Sequence, residues 1–375
     1  MPIKRTTWPQ GHLVELDHTS KALRHNALGD PYRRKLHVWL PPGYERPSAG
    51  RGNIKTRRSP RLPVLFDLVG FTGSGFSHTN WKNFGENVPE RAARLIHEGR
   101  MGPVILVFPD CFTAYGGNQY INSSAIGDYG DYLVEELVPF VDREFRTLAD
   151  RKHRGCFGKS SGGYGSIVHA MRYNSVWGAV ADHSGDAYFD FVYRTDWPRT
   201  LDALSAYAEP KREAGRVDVL VRQARVARGL DDGRVTRFLE AFWRKRKASA
   251  SDTHVLMMLC MAASYDPDPK APNGFRLPFN LETGELLERR WKNWLRHDPI
   301  YLVHSHQKEL RGLKGLWIDC GWSDQYFIHY GSRILSKTLS LAGIAHVYEE
   351  FPDNHSDIDY RMDSSLPYLY QALKG

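Results

Sequence analysis

At 375 residues the chain is long enough to bury a full core, as one large domain or two small ones. Aromatic residues make up 12% of it, which suits a packed interior and argues against a disordered partner-binding segment. The formal charge of +8 is spread over the chain, with short basic runs at 55–58 and 244–247, so it reads as general surface basicity and not as a nucleic-acid footprint.

No run of apolar residues is long enough to span a bilayer, and the first residues lack the apolar stretch of a signal peptide; a cytoplasmic protein without a membrane partner is expected. Cys111, Cys156, Cys260 and Cys320 are scattered without paired metal spacing, which predicts reduced core thiols.

In chain order, an apolar strand at 35–40 stops at Pro41-Pro42-Gly43-Tyr44, and 45–60, rich in Arg, Gly, Ser and Pro, reads as an exposed loop. The apolar run 62–68 empties into Val69-Gly70-Phe71-Thr72-Gly73-Ser74-Gly75. A buried strand opening into such a loop can present free backbone N–H groups to an oxyanion, or can simply be a connection. A helix at 90–98 and a strand at 104–108 follow. Continuous apolar strands alternating with helices indicate a mostly parallel sheet covered by helices on both faces. A polar loop at 116–128 then leads to an amphipathic helix at 129–145.

The stretch from Arg154 to Asn174 reads strand, abrupt turn, helix, with Ser160 at the apex. A side chain thrust out of so sharp a turn needs bare flanking positions, which Gly158 and Gly162 supply. Were Ser161 the nucleophile, Lys159 would occupy one of those positions. A P-loop is excluded, because Lys159 precedes the turn instead of opening the helix. A strand at 178–181 leads to His183-Ser184-Gly185-Asp186. From about 186 to 310 the alternation is interrupted by helical, Arg- and Lys-rich sequence. This region is expected to be a mainly helical lid insertion dividing a core of residues 1–185 and 311–375.

Alternation resumes with a strand at 315–319, a helix at 329–342 and a last strand at 346–351. Asp324 and His355 each fall just past a strand's carboxyl end, the edge where open parallel sheets gather ligands. Ser160, Asp324 and His355 thus stand in the order serine, acid, histidine. A hydroxyl is a poor nucleophile until an imidazole takes its proton, and the imidazole needs a carboxylate to fix its tautomer. Asp319 is a rival acid, held back at the strand end. His78 and His329 read as structural or surface groups, and His183, close to the elbow, stays in reserve. Asp353, Asp357 and Asp359 around His355 leave a metal cluster open, though no second histidine has ligand spacing nearby. Trp81, Tyr115 and Tyr120 are candidates to line a substrate pocket, or are core.

Four segments, Leu40-Pro41-Pro42-Gly43-Tyr44, Gly158-Lys159-Ser160-Ser161-Gly162-Gly163, Asp319-Cys320-Gly321-Trp322-Ser323-Asp324 and Glu349-Glu350-Phe351-Pro352-Asp353-Asn354-His355, resemble the putative-esterase branch of the α/β-hydrolases. That group includes esterase D-type enzymes, enterochelin esterases and mycolyltransferases. The resemblance covers 35–186 and 315 onward and implies an α/β-hydrolase fold. It implies Ser160 as nucleophile, His355 as base and Asp324 as acid, with an oxyanion hole from the backbone N–H groups of Phe71 and Ser161. Many members carry His-Gly where this chain has Val69-Gly70. The expectation is a serine hydrolase of a small carboxylic ester or thioester, with no metal or organic cofactor. An acyltransferase using the same triad and a noncatalytic binding module on the same fold are the alternatives, and oligomeric state is not legible.

Overall fold

The computed structural model describes residues 7–45, 60–209 and 216–375. Most of the loop expected at 45–60, with its basic run at 55–58, and the first six residues lie outside the described residues. Eight strands form the central sheet: β1 (His12–Thr19), β2 (Arg33–Leu40), β3 (Val64–Leu68), β4 (Ile105–Pro109), β5 (Arg154–Lys159), β6 (Ala179–His183), β7 (Gly315–Gly321) and β8 (Val347–Phe351). Their spatial order is β1-β2-β4-β3-β5-β6-β7-β8. β1 and β2 run antiparallel to each other, β2 runs antiparallel to β4, and all remaining pairs are parallel. The sheet is therefore mostly parallel, as the apolar runs require: β3, β4, β5 and β6 are buried along nearly their whole length.

β1 has no counterpart in the sequence reading. Its residues alternate half-buried and exposed, and four of its eight positions are His, Glu or Asp, so it lacks the apolar run that marks the central strands. Helices cover both faces and create two cores. One holds Leu65, Leu106, Phe108 and Phe157 against α1 (Val88–His97) and the C-terminal helix Met362–Leu373. α1 starts one turn's edge earlier than its apolar pattern suggests, because Asn87 and Glu90 close a reciprocal capping box at its N-terminus. The larger core gathers the opposite face, including Phe66, Cys156 and Val180. The helix expected at 129–145 forms, but Tyr132–Leu137 within it is π-helical.

Between β6 and β7 the chain is mainly helical. Its longest element, α2 (Ala250–Tyr265), is apolar all round and buried over most of its length, starting from a Ser249–Asp252 capping box. It is bound to the polar loop 116–128 in three places: Ser123 Oγ donates to Ala263 O at 2.5 Å, Gln119 Nε2 reaches Met261 Sδ at 2.9 Å, and Cys260 Sγ donates to Gly117 O at 3.3 Å. The four cysteines are free and buried. No helix of the described residues is long and apolar enough to cross a membrane.

Candidate active site

β5 ends at Lys159, and the helix α3 (Ser161–Arg172) begins two residues later, leaving Ser160 to make the whole turn. Its φ of 58° and ψ of −123° lie where a side chain strains the backbone, and that strain is held from outside: Ser160 N donates to His183 O on β6 at 2.9 Å, and Tyr164 N to Ser160 O at 2.9 Å. The flanking glycines are required by contact. A Cβ on Gly162 would overlap the Leu68 carbonyl oxygen, and one on Gly158 would meet that same oxygen and stand 2.7 Å from the Gly162 carbonyl carbon. β3 and α3 therefore touch through bare backbone, and Ser160 is pushed out at the sheet's centre.

Ser161, by contrast, is buried, and its hydroxyl is engaged by Gln119 Nε2 at 2.9 Å. Its backbone N–H is the first of α3, where no intrahelical acceptor exists and the helix dipole favours negative charge. Beside it runs the loop from β3. Thr72 N is tied to Gly116 O and Gly73 N to Gly70 O, while the Phe71 N–H makes no hydrogen bond among the described residues. Gly70 lies so close to the elbow that a Cβ there would stand 3.4 Å from Ser160 Cβ.

Asp324 and His355 meet at the same edge. His355 Nδ1 donates to Asp324 Oδ2 at 2.7 Å, and both side chains are almost completely buried. The second carboxylate oxygen accepts from Tyr326 N at 2.9 Å, and His355 N donates to Gln325 Oε1 at 3.0 Å. The two loops are also stitched together, Trp322 N to Phe351 O and Ser323 N to Asp353 O, both at 3.0 Å. Tyr326 packs edge-on against the His355 ring, with centroids 4.9 Å apart.

Ser160, His355, Gly70, Phe71 and Ser161 line one cavity of about 350 Å³. Its other walls come from Lys159, Asp186, Val192, Tyr193, Tyr326 and Ile328, and from α2, which contributes Thr253, His254 and Met257. Asp324 and His355 are thus joined by a hydrogen bond, while Ser160 and His355 are brought together by the shared cavity. Trp81, Tyr115 and Tyr120 are not among its lining residues. Trp81 is 59% exposed elsewhere, Tyr115 packs edge-on to Phe275, and Tyr120 is buried with its hydroxyl donating to Val69 O at 2.6 Å. The aromatic residues that do line it, Phe71, Tyr193 and Tyr326, sit in loops or at a helix end, and no periodicity singles them out.

The two groups set aside in sequence pair with each other. His183 Nδ1 donates to Asp319 Oδ1 at 2.7 Å and His183 Nε2 is bonded to Ser365 Oγ at 2.9 Å, all buried. Asp319 Oδ2 accepts from Trp317 Nε1 and Arg361 Nε, each at 3.0 Å. Burial would lower the His183 pKa, and the adjoining Asp319 carboxylate outweighs it, so the value is raised. Neither residue lines the cavity. Two of the three aspartates near His355 are likewise occupied elsewhere: Asp359 pairs with Lys82, and Asp353 accepts from Tyr360 Oη. Among the described residues no group of three or more His, Cys, Asp or Glu side chains is arranged to hold a metal ion.

Asp186, just past β6, was not foreseen as a site residue. It is 5% exposed, its Oδ2 accepts from Tyr193 Oη at 2.8 Å, and Tyr193 Oη is in turn 3.1 Å from Tyr265 Oη. Burial pushes its carboxyl up to about 6, against the Tyr193 hydrogen bond and the nearby His355, which pull it down. A carboxyl whose folded pKa lies above its unfolded value stabilises the fold only while protonated, so that contribution is present below about pH 4 and lost as pH rises through about 6. Asp186→Asn, which can still accept from Tyr193, is therefore expected to raise the thermal midpoint at pH 8. The gain, no more than about 3 kcal/mol, should shrink toward zero in melts near pH 4. An equal gain at both pH values would remove the ionisation as its cause.

Fold and site together define an α/β-hydrolase: a mostly parallel sheet with a strained serine turn at its centre and an Asp–His pair past its later strands. The chain belongs to the family described as Putative esterase, whose pattern matches residues 31–356. It is 29% identical over 157 residues to an endo-1,4-beta-xylanase/feruloyl esterase of Xylanibacter ruminicola, a match taking in 40% of this chain and 19% of that protein. It is 30% identical over 129 residues to an esterase of Mycobacterium tuberculosis, covering 31% of this chain and 27% of the other. The matched stretch is thus well under a third of either relative's length. An S-formylglutathione hydrolase from Agrobacterium tumefaciens superposes over 98% of both chains with a TM-score of 0.53 at 15% identity, a likeness of fold.

Proposed function

We propose that the chain is a carboxylic ester or thioester hydrolase acting through an acyl-enzyme on Ser160. The observation that carries this reading is the 2.7 Å His355–Asp324 bond opening onto the same cavity as the strained Ser160. With Nδ1–H committed to Asp324, the neutral imidazole presents its basic Nε2 lone pair to the cavity. His355 takes the Ser160 proton as Oγ attacks the ester carbonyl carbon, and Asp324 stabilises the imidazolium that forms. The oxyanion is held by the Phe71 and Ser161 N–H groups, both free donors at the cavity wall, with the N-terminus of α3 behind it. His355 then returns the proton to the departing alcohol or thiol. Water, deprotonated by the same imidazole, releases the acid and restores Ser160.

In this reading residues 186–310 form a cap over a core of 1–185 and 311–375, with α2 as the wall facing Ser160. The membership in an esterase family, and the esterase names borne by the relatives, support the reaction class.

The test compares wild type, Ser160→Ala and Ser161→Ala with p-nitrophenyl acetate and butyrate, alongside intact-mass detection of a fluorophosphonate adduct. Turnover is expected to fall about 10⁴-fold or more in Ser160→Ala, with the adduct gone. Ser161→Ala keeps its backbone N–H and is expected to keep the adduct. An adduct that survives Ser160→Ala sinks the assignment.

A further inference from the structure

Among the described residues that line the cavity, Asp186 carries the only carboxylate, and the reaction scheme gives it no task. It forms no ion pair there. Its side-chain partners are the Tyr193 hydroxyl, donating at 2.8 Å, and the neighbouring Gln119 amide. The surrounding wall is largely apolar, with Val192, Met257 and Ile328. A buried carboxylate in such a setting is costly unless charge or hydrogen bonds compensate it, and two neutral partners leave that compensation incomplete. Its position is nevertheless well defined. Tyr193 holds one oxygen, Tyr265 holds Tyr193 from behind, and the segment 183–186 is pinned where Ser184 N donates to Asp319 O at 2.7 Å. A costly group that is held this firmly beside a nucleophile is built to meet something that enters the cavity.

We propose that Asp186 is a specificity-determining residue that accepts a hydrogen bond from a hydroxyl or ammonium group on the ester occupying the cavity beside Ser160. The proposal rests on the acyl-enzyme reading and deepens it, naming as substrates esters that carry a hydrogen-bond donor. A site built to pair with a substrate donor rejects the analogue that lacks it far more strongly than an apolar pocket rejects a missing methylene, because its own polar group is left unpaired. The same carboxylate disfavours acyl groups that bring a second negative charge.

The experiment measures kcat/KM for matched esters on wild type, Asp186→Leu and Asp186→Asn, and reads the ratio of each donor-bearing ester to its parent. One set is methyl butanoate with its 2-hydroxy, 3-hydroxy and 3-amino forms. The other is methyl 3-phenylpropanoate with its ring-hydroxylated and ring-aminomethylated isomers, so that donors are offered at several distances from the carbonyl. At least one donor-bearing ester is expected to exceed its parent by about tenfold or more in wild type. That ratio should fall to about one in Asp186→Leu and partway in Asp186→Asn. Whether the hydroxyl or the amino arm wins identifies the donor. Should Asp186→Leu fail to fold, Tyr193→Phe removes the hydroxyl that orients the carboxylate and should lower the same ratio severalfold. Ratios near one throughout the panel, in an enzyme that turns over the parent esters and labels at Ser160, overturn the proposal, as does a preference that survives Asp186→Leu. A wild type that neither labels nor turns over any ester overturns the acyl-enzyme reading itself, and this proposal with it.

Discussion

Asp324→Asn is expected to lower kcat about 10⁴-fold while leaving KM and the thermal midpoint nearly unchanged. The size of the effect follows from how the carboxylate is held. Oδ1 accepts from Tyr326 N at 2.9 Å and Oδ2 accepts from His355 Nδ1 at 2.7 Å. An asparagine must keep its carbonyl oxygen toward the Tyr326 amide, since only an acceptor fits there, so its NH₂ group faces His355. The imidazole then has to accept at Nδ1 and carry its proton on Nε2, the nitrogen that should take the proton from Ser160. The geometry survives and the tautomer is wrong. Asp324 does not line the cavity, so ground-state binding should change little. Steady-state kinetics with p-nitrophenyl butyrate between pH 6 and 9 check this, and a fall of less than about tenfold would falsify Asp324 as the acid.

Asp319→Asn makes the contrast. Asp319 is fully buried among His183, Trp317 and Arg361, and removing its charge leaves the buried His183 imidazole without its carboxylate, while Arg361 keeps Glu349. Breaking such a pair costs about 3–5 kcal/mol of stability. The two candidate acids should therefore separate by readout, one in kcat and the other in thermal midpoint.

That separation also shows what the sequence could and could not carry. The elbow, the sheet alternation and the positions of Asp324 and His355 were legible because each rests on local rules: a backbone contact that tolerates only glycine, a run of apolar residues, a loop past a strand end. The place of Asp319 within a strand, away from the cavity, was legible for the same reason. Its partnership with His183 and Arg361 was not, because those residues are 136 and 42 positions away along the chain. β1 escaped notice because an edge strand that alternates charged and half-buried residues looks like a solvated loop. Pocket-lining residues are the hardest case. Tyr120 and Tyr193 look alike in sequence. Yet Tyr120 packs its ring against Gly165 and points its hydroxyl to a strand-end carbonyl, whereas Tyr193 faces the cavity and orients Asp186. Which tyrosine faces the cavity is decided by where α2 and the segment after β6 come to rest, and that depends on contacts between distant parts of the chain.

Gly162→Ala is expected to damage both the fold and the labelling of Ser160. Its Cβ would overlap the Leu68 carbonyl oxygen, stand 2.5 Å from the Leu68 carbonyl carbon and 3.0 Å from Val69 O. All three atoms are backbone, so no side-chain rotation relieves them. Moving β3 away is resisted on both sides, since Leu68 is in register with Gly158 on β5 and Val69 O receives the Tyr120 hydroxyl. Any shift that does occur carries Gly70 and Phe71 with it, and with them one of the two oxyanion donors proposed above. The predicted result is a loss of about 4 kcal/mol or more, seen as insoluble protein or a sharply lowered melt, and no fluorophosphonate adduct in whatever remains folded. Gly70→Ala provides the calibration. Its Cβ would meet Lys159 O at 3.3 Å and Ser160 Cβ at 3.4 Å, close enough to crowd Ser160 and loose enough to fold. It should melt within a few degrees of wild type and label more slowly. If Gly162→Ala instead melts and labels like wild type, then β3 and α3 do not meet through bare backbone, and the steric argument that selects Ser160 over Ser161 goes with it.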